Sequence, residues 1–411
     1  MFPKDFIWSA ATAGHQVEGN NSNSDCWFLE NVTPTIFKER SGAAVNSYEL
    51  WQTDIDLAKG LHLNAYRFSI EWARIEPTEG TFDENELAHY EAIIDYCIKS
   101  GLEPIVTLNH FVNPNWFAIK GSWTAPDSAA LFARYCGLIV NRFGSKLKRV
   151  MTLNEPNLPR LLTWLHLPPF VEDLSRQTLA AASAATGSKR YLSANVVVPE
   201  DLQDIEDGLA AAHQAARAEI KKQAPHLEVG LSIAIVDDRV AGNDSSLRDR
   251  KREEVYGRWL ELAKQDDFIG VQNYEAETYD ANGTVEAPAG TLRNGMGNSI
   301  DVTSLSGCVS YAHQVTGKPV FITEHGVNTE DDATRQKFMV ESVAHLEDLV
   351  ASGVPVLGYT HWSLLDNFEW IFGYGPKFGV FSVDRDTFIR TPKPSAAVYA
   401  RLALNNSAQT S

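Results

Sequence analysis

The sequence predicts an α/β protein built as a single closed (β/α)8 barrel, a TIM barrel with extended βα loops, and three observations carry that expectation. Eight short apolar runs rich in β-branched residues occur along the 411 residues. Longer stretches of helical period alternate with them, and no internal repeat or Gly/Ser/Pro-rich linker divides the chain. The runs are near-continuously apolar, as strands buried on both faces are.

The strands are expected, in order, at Phe6–Ala13, Asn64–Ile70, Glu103–Asn109, Arg149–Leu153, Glu228–Ala234, Asp267–Gln272, Pro319–Thr323 and Val354–Thr360. Amphipathic helices are expected at Glu84–Lys99, Ala129–Arg142, Leu209–Lys222 and Thr334–Ser352, with Ser100-Gly101 and Ser352-Gly353 as stop signals. Ala281–Ser306, rich in Gly, Asn and Ser, reads as a loop insertion, and Asn405–Ser411 as a fraying tail. The mixed-sign run Arg248–Glu254 reads as a solvated helix face. One domain spanning residues 1–411 is therefore expected.

Composition narrows the function. With 44% hydrophobic and 22% charged residues the chain is globular, and a formal charge of 36 − 53 = −17 argues against nucleic acid and anionic membranes as partners. Cys26, Cys97, Cys136 and Cys308 are widely spaced with no C-x-x-C pair, so they form neither a disulfide framework nor a zinc motif. No apolar run reaches ~18 residues, and the opening Met-Phe-Pro-Lys-Asp-Phe lacks signal-peptide character, so a cytoplasmic location is expected. The 10 Trp and 13 Tyr suit a sugar-binding cleft, although ordinary core packing also uses such residues.

The chemistry lies in the polar residues that close the strands, because a barrel interior is packed and its active site sits at the C-terminal strand ends. The first strand is followed by His15, Gln16 and Glu18; the second carries Arg67 and Glu71. The third ends in Asn109-His110, the fourth in Asn154-Glu155-Pro156, and the sixth in Gln272-Asn273-Tyr274. The seventh ends in Glu324-His325; the eighth runs into His361-Trp362 and then Asp366-Asn367-Phe368-Glu369-Trp370. Burying such groups without purpose costs roughly 1–3 kcal/mol each, so their convergence points to a pocket.

Two carboxylates dominate it. Glu155 and Glu324, 324 − 155 = 169 residues apart, end the fourth and seventh strands, read as facing each other across the mouth. A carboxylic acid that gives a proton, paired with a carboxylate that attacks carbon, is the machinery for cleaving a glycosidic bond. Arg67 is expected to hold Glu324 anionic, and burial beside that anion to raise the pKa of Glu155. The alternative is two unrelated capping glutamates.

At these residues the chain resembles glycoside hydrolase family 1, the retaining β-glycosidases that include β-glucosidases, from Phe6 to Tyr399. Phe6-Ile-Trp-Ser-Ala-Ala-Thr-Ala-Gly-His-Gln-Val-Glu-Gly19 is similar to the family's first strand, which makes Gln16 a sugar-hydroxyl ligand. Asn64-Ala-Tyr-Arg-Phe-Ser-Ile-Glu-Trp-Ala-Arg-Ile-Glu-Pro77 resembles the second, with Arg67 beside the nucleophile, and His110 matches the sugar-binding histidine. Thr152-Leu-Asn-Glu-Pro156 resembles the acid/base motif, implying Glu155 as acid/base and Asn154 as partner of the sugar 2-hydroxyl. Ile322-Thr-Glu-His-Gly326 resembles the nucleophile motif and implies that role for Glu324. In Gly358–Trp370, Trp362 would floor the sugar while Glu369 and Trp370 bind its distal hydroxyls; His15 would help grip the ring. Tyr274 aligns with the tyrosine that hydrogen-bonds the nucleophile, and Gln272 with the family's asparagine, although a one-residue shift would exchange those roles.

The departures cluster in loops. Phe111 replaces a more usual Trp, His325 an Asn and Lys377 an Arg. The loop after Pro156 lacks the familiar His-Ala-Pro-Gly; Trp164, His166 and Phe170 lie in its replacement, and Asn298 sits where a tryptophan is common. With Gln272, these are the candidates for the leaving-group side. The resemblance implies a retaining β-glucosidase acting on a β-glycoside or oligosaccharide, with no metal or cofactor. Glu369 would repel a phosphorylated sugar, and the presence of Glu155 implies O-glycoside rather than thioglycoside hydrolysis. β-Galactosidase, β-fucosidase or transglycosylase activity on the same site is the alternative within the chemistry. Outside it stand a metal-dependent barrel hydrolase, using His15, His110, His361 and the two glutamates, and a non-catalytic sugar-binding barrel.

Overall fold

The computed structural model describes residues 2–165 and 167–408. Eight parallel strands form its centre: β1 (Ile7–Ala11), β2 (Ala65–Ser69), β3 (Glu103–Asn109), β4 (Arg149–Asn154), β5 (Glu228–Ala234), β6 (Ile269–Asn273), β7 (Val320–His325) and β8 (Val356–His361). Each pairs with its neighbours in chain order, and β8 closes on β1, so the barrel has no free edge. A helix follows each strand: α1 (Ser47–Gly60), α2 (Glu84–Lys99), α3 (Ser128–Phe143), α4 (Pro199–Gln223), α5 (Arg258–Ala263), α6 (Ser304–Thr316), α7 (Asp332–Ala351) and α8 (Pro394–Ala408). No described helix is long and apolar enough to cross a membrane.

Local chemistry sets the helix ends. The Asp83 carboxylate accepts from the amides of Asn85 and Glu86 and starts α2; Asp331 does the same for Ala333 at the start of α7. Gly101, Gly317 and Gly353 end α2, α6 and α7 in the left-handed region that favours glycine. The predicted α2, β3 and β5 have the observed bounds, and the other expected elements differ by a few residues, except the helix predicted from Leu209, which starts at Pro199. The tail expected to fray from Asn405 instead continues α8 to Ala408; residues 409–411 lie outside the described ones.

The inside of the barrel is apolar below and polar above. Ile7, Ala65, Ile105, Met151 and Phe321, each from a different strand, form one buried cluster, which only the barrel interior can bring together. Strict alternation from Met151 would turn Leu153 inward and Asn154 outward; from Phe321 it would turn Glu324 outward and His325 inward. Both strands break that alternation. On β4 the pairing to β5 slips between Met151 and Asn154, and on β7 the pairing to β6 slips between Ile322 and Glu324. Each slip is a bulge that re-aims the residues after it. Thr152 faces His213 of α4 at 2.7 Å, yet Asn154, two residues on, faces the interior. His325 stacks on Phe338 of α7 while Glu324 points inward.

The βα loops build a rim over the mouth. After β5 and β6, a small sheet of Asp237–Val240, Ala276–Asp280 and Gly283–Thr284 is clamped by Lys251. The Lys251 ammonium is fully buried and donates to Asp238 at 2.6 Å, Tyr279 at 2.7 Å and Glu277 at 3.2 Å. The run Arg248–Glu254 is therefore not wholly a solvated face: it is helical, but Lys251 turns inward because three oxygens compensate its charge.

Helix α4 crosses the segment after β3 so closely that a Cβ at Gly208 would lie 1.8 Å from the carbonyl oxygen of Trp123. Gly208→Ala is expected to destabilise the fold by about 1–3 kcal/mol, a loss that differential scanning calorimetry would register as a lower Tm.

Candidate active site

Arg67 is the centre of the mouth. It is fully buried and carries a charge that must be compensated there. Its guanidinium donates to Glu324 Oε1 at 2.6 Å and the Thr323 carbonyl at 3.0 Å on β7. It also donates to Asn154 Oδ1 at 2.6 Å on β4 and Thr107 Oγ1 at 3.2 Å on β3. The second Glu324 oxygen accepts from the Tyr274 hydroxyl at 2.6 Å. Burial raises the Glu324 pKa above its ordinary value; the charge of Arg67 and the bonds from Tyr274 and Arg67 offset part of that rise.

Glu155 has the opposite surroundings. No described side chain hydrogen-bonds its carboxyl, and a small cavity lined by Phe111, Pro156, Pro159, Ala194 and Leu209 flanks it. Burial raises its pKa well above the ordinary carboxyl value, and the negative charge of Glu324 adds to the rise. The Glu155 backbone sits at φ +45°, the left-handed region, directly after the bulge of β4. The two strands are three places apart in the ring of eight, one short of opposite, so the glutamates converge on the mouth from nearly facing strands. One carboxyl is built to carry the proton and the other the charge.

The remaining pocket residues form a floor of buried polar atoms. Gln16 donates through Nε2 to Phe368 O at 2.7 Å, Asn367 Oδ1 at 3.1 Å and Glu369 Oε2 at 3.3 Å. Trp362 Nε1 donates to Glu369 Oε1 at 3.3 Å, and Asn154 Nδ2 lies 3.2 Å from His110 Nε2. Burial, followed by the charge of Arg67, lowers the His110 pKa well below 6.5, so it is neutral. Its ring runs nearly parallel to Trp362 and to Trp370. Gln16 Oε1, His110 Nδ1 and Gln272 Oε1 are buried without a hydrogen-bond partner. Three such atoms in one pocket leave it able to hydrogen-bond a polar ligand.

Several expected placements change. Gln272, grouped with the leaving-group side, lies in the floor and donates to Asn154 Oδ1 at 2.7 Å; Asn273 turns outward to Ser304, which removes the register ambiguity. His15 does not line the pocket: its Nε2 pairs with Glu30 at 2.7 Å and its ring packs behind Trp370. His325 and His361 point toward the outer helices. On the rim, Trp164 is half-buried under Arg250, Phe170 is 64% exposed, and Asn298 is exposed and bonded to Glu275; His166 lies outside the described residues. The histidines and glutamates named for a metal-dependent hydrolase do not come together as one ligand set, since His15 and His361 lie outside the pocket. Among the described residues the one group with metal-ligand spacing is His15, Cys26 and Glu30, whose ligand atoms lie within 4.8 Å of one another. The two Glu30 oxygens are already bonded to His15, Cys26 and Ser41, so this reads as a hydrogen-bonded network. Glu30 and Ser41 carry no motif or periodicity that marks them in the sequence.

The sequence model of Glycosyl hydrolase family 1 matches residues 1–190 and 257–408. β-Glucosidase A of Thermotoga maritima is 28% identical over 441 residues, covering 98% of both chains. Among solved structures, the apo form of β-glucosidase 1317 superposes with a TM-score of 0.92 at 38% identity, covering 97% of this chain and 98% of that one. The β-glycosidase BGL167 superposes with a TM-score of 0.91 at 41% identity, over 99% and 97% of the two chains. A Thermotoga maritima β-glucosidase bound to glucoimidazole superposes at 0.84 with 25% identity, over 98% and 99%.

Removing the Tyr274 hydroxyl takes a hydrogen bond from the ionised form of Glu324 and leaves the carboxyl easier to protonate. A bond to a charged group is worth roughly 1.5–3 kcal/mol, and one pKa unit about 1.4 kcal/mol. In Tyr274→Phe the acid limb of kcat/KM on an aryl β-glycoside is expected to move up by about one pH unit. A pH–rate series on the two proteins checks it.

Proposed function

This chain belongs to glycosyl hydrolase family 1, and from that premise we propose that it is a retaining β-glucosidase acting on non-phosphorylated β-glucosides or oligosaccharides. We further propose that residues 1–411 work as one barrel domain. The observation that carries the reading is the pair of unequal carboxyls, Glu324 held by Arg67 and Tyr274 and Glu155 with no side-chain hydrogen bond among the described residues.

In the first step Glu324 attacks the anomeric carbon while Glu155 gives its proton to the leaving oxygen, forming a covalent glycosyl-enzyme. In the second, Glu155, now ionised, takes a proton from water, which displaces the sugar with net retention of configuration. The environments found here support that division: the group that must be anionic has two donors, and the group that must be protonated has an apolar flank. Asn154, held by Arg67 and Gln272, is poised for the 2-hydroxyl. Gln16, Glu369, Trp362 and Trp370 form the distal end of the glycone site, and the unpaired Gln16 Oε1 with the Glu369 carboxylate suits neutral hydroxyls better than a phosphate. Trp164, Phe170 and Asn298 on the rim are the leaving-group candidates.

The direct test is an activated 2-deoxy-2-fluoro-β-glucoside followed by peptide mapping. A single glycosyl adduct on Glu324 is expected; an adduct elsewhere, or anomeric inversion seen by proton NMR during turnover, overturns the mechanism. Because Glu155 acts protonated in the first step, activity should fall as pH rises through its raised pKa. Glu155→Gln is expected to lose that descending limb and to lower kcat/KM on an unactivated glucoside by roughly 10²–10⁴-fold. A dinitrophenyl glucoside, whose leaving group needs no proton, should lose far less in that step.

A further inference from the structure

The segment that carries Glu369 and Trp370 is held from behind by a second loop. The Lys38 amide donates to Ile371 O at 3.0 Å, the Tyr374 amide to Glu39 Oε2 at 2.8 Å, and the Tyr374 hydroxyl to Ser41 O. That loop is fastened at its other end to one carboxylate: Ser41 donates through its amide at 2.8 Å and its hydroxyl at 2.7 Å to Glu30 Oε2. The other Glu30 oxygen takes His15 Nε2 at 2.7 Å, with the Cys26 thiol 3.7 Å away. The His15 ring lies parallel to Trp370 within 5°, at a centroid separation of 5.9 Å, and meets Phe368 edge-on. Glu30, His15 and Ser41 are each 1% exposed.

We propose that His15 and Glu30 are positioning residues, a buried imidazolium–carboxylate pair that sets Trp370 and Glu369 against the distal hydroxyls of the bound sugar. The inference rests on the reading of that segment as the distal end of the glycone site. Glu30 ties together three pieces of chain: the turn after β1, the helix Asp25–Asn31 and the loop around Ser41. His15 adds a cation under an aromatic platform, an attraction that water exclusion strengthens. The pair is far from the reacting carboxyls in the bonding scheme, so its effect falls on sugar binding and not on proton transfer.

The groups facing His15 are Glu30, Asp25 and Cys26 from the helix Asp25–Asn31, and Glu71 from the segment after β2. Burial alone would lower the His15 pKa; the charge and hydrogen bond of Glu30, with Glu71 and Asp25 behind, reverse this and raise it above 6.5. Glu30 is lowered in turn, burial being outweighed by His15 and the two Ser41 bonds. Asp25 and Glu71 are pushed up by burial to about 6 and about 7, so their support of the cation weakens below neutral pH. With a raised histidine pKa, the ion pair is intact below that pKa and is lost as pH rises through it.

The test is glucose as a neutral competitive inhibitor, its inhibition constant measured from pH 5 to pH 9 on the wild type, His15→Phe and Glu30→Gln. His15→Phe keeps a stacked ring and removes the charge; Glu30→Gln keeps the volume and removes the counter-charge, and either suffices if the other does not fold. In the wild type, glucose binding is expected to weaken as pH rises above 6.5. In each variant it should be about fivefold weaker at pH 6, with that pH dependence gone and KM rising more than kcat falls. Variants that bind glucose as the wild type does, with the same pH profile, overturn the inference alone. A wild type that neither binds glucose nor cleaves an aryl β-glucoside overturns the glucosidase reading, and this inference with it.

Discussion

A guanidinium taken wholly out of water must have its charge and its donors met by the protein, and Arg67 is such a group at the centre of the barrel mouth. Its four partners come from β3, β4 and β7, so the three strands have to deliver Thr107, Asn154, Thr323 and Glu324 to one point. Glu324 is the only carboxylate among them. Losing it would strand a buried charge, which is why the geometry of Glu324 and the integrity of the mouth are the same problem. The unequal division of support follows directly: the charge of Arg67 favours the ionised form of both carboxyls, but its hydrogen bond and that of Tyr274 go to Glu324, while burial and the charge of Glu324 raise Glu155 well above its ordinary value.

Regular strands would not meet that requirement. Below the mouth the inward positions of β4 and β7 belong to Met151 and Phe321, and simple alternation from them would point Asn154 and Glu324 toward the helices. One bulge in each strand reverses the parity just before the functional residue. The irregularities are therefore what lets an apolar barrel core carry a polar mouth. Behind the mouth the same logic recurs at smaller scale, with Glu30 collecting His15, Ser41 and Cys26 around one buried carboxylate.

Much of this was legible beforehand. Eight apolar runs separated by helical periods imply the barrel because parallel strands buried on both faces leave that signature, and the polar residues at their ends imply the mouth. Gln16, Arg67, His110, Asn154, Glu155, Tyr274, Glu324, Trp362 and Glu369 are all drawn into the pocket where the motifs led one to look for them. The misreadings share a cause. Gln272, His15 and Lys251 were assigned from neighbours in sequence, whereas Asn154, Glu30 and Asp238, the partners that decide their orientation, lie 118, 15 and 13 residues away.

By itself, then, the sequence determined which elements form and which chemical groups stand at their ends, since periodicity, capping and residue type act over a few positions. Tertiary structure alone decided which way those groups point and which of the two glutamates takes the hydrogen bonds of Arg67 and Tyr274. Those outcomes depend on bulges set by pairing between strands and on the compensation of buried charge, and neither is encoded within any one segment.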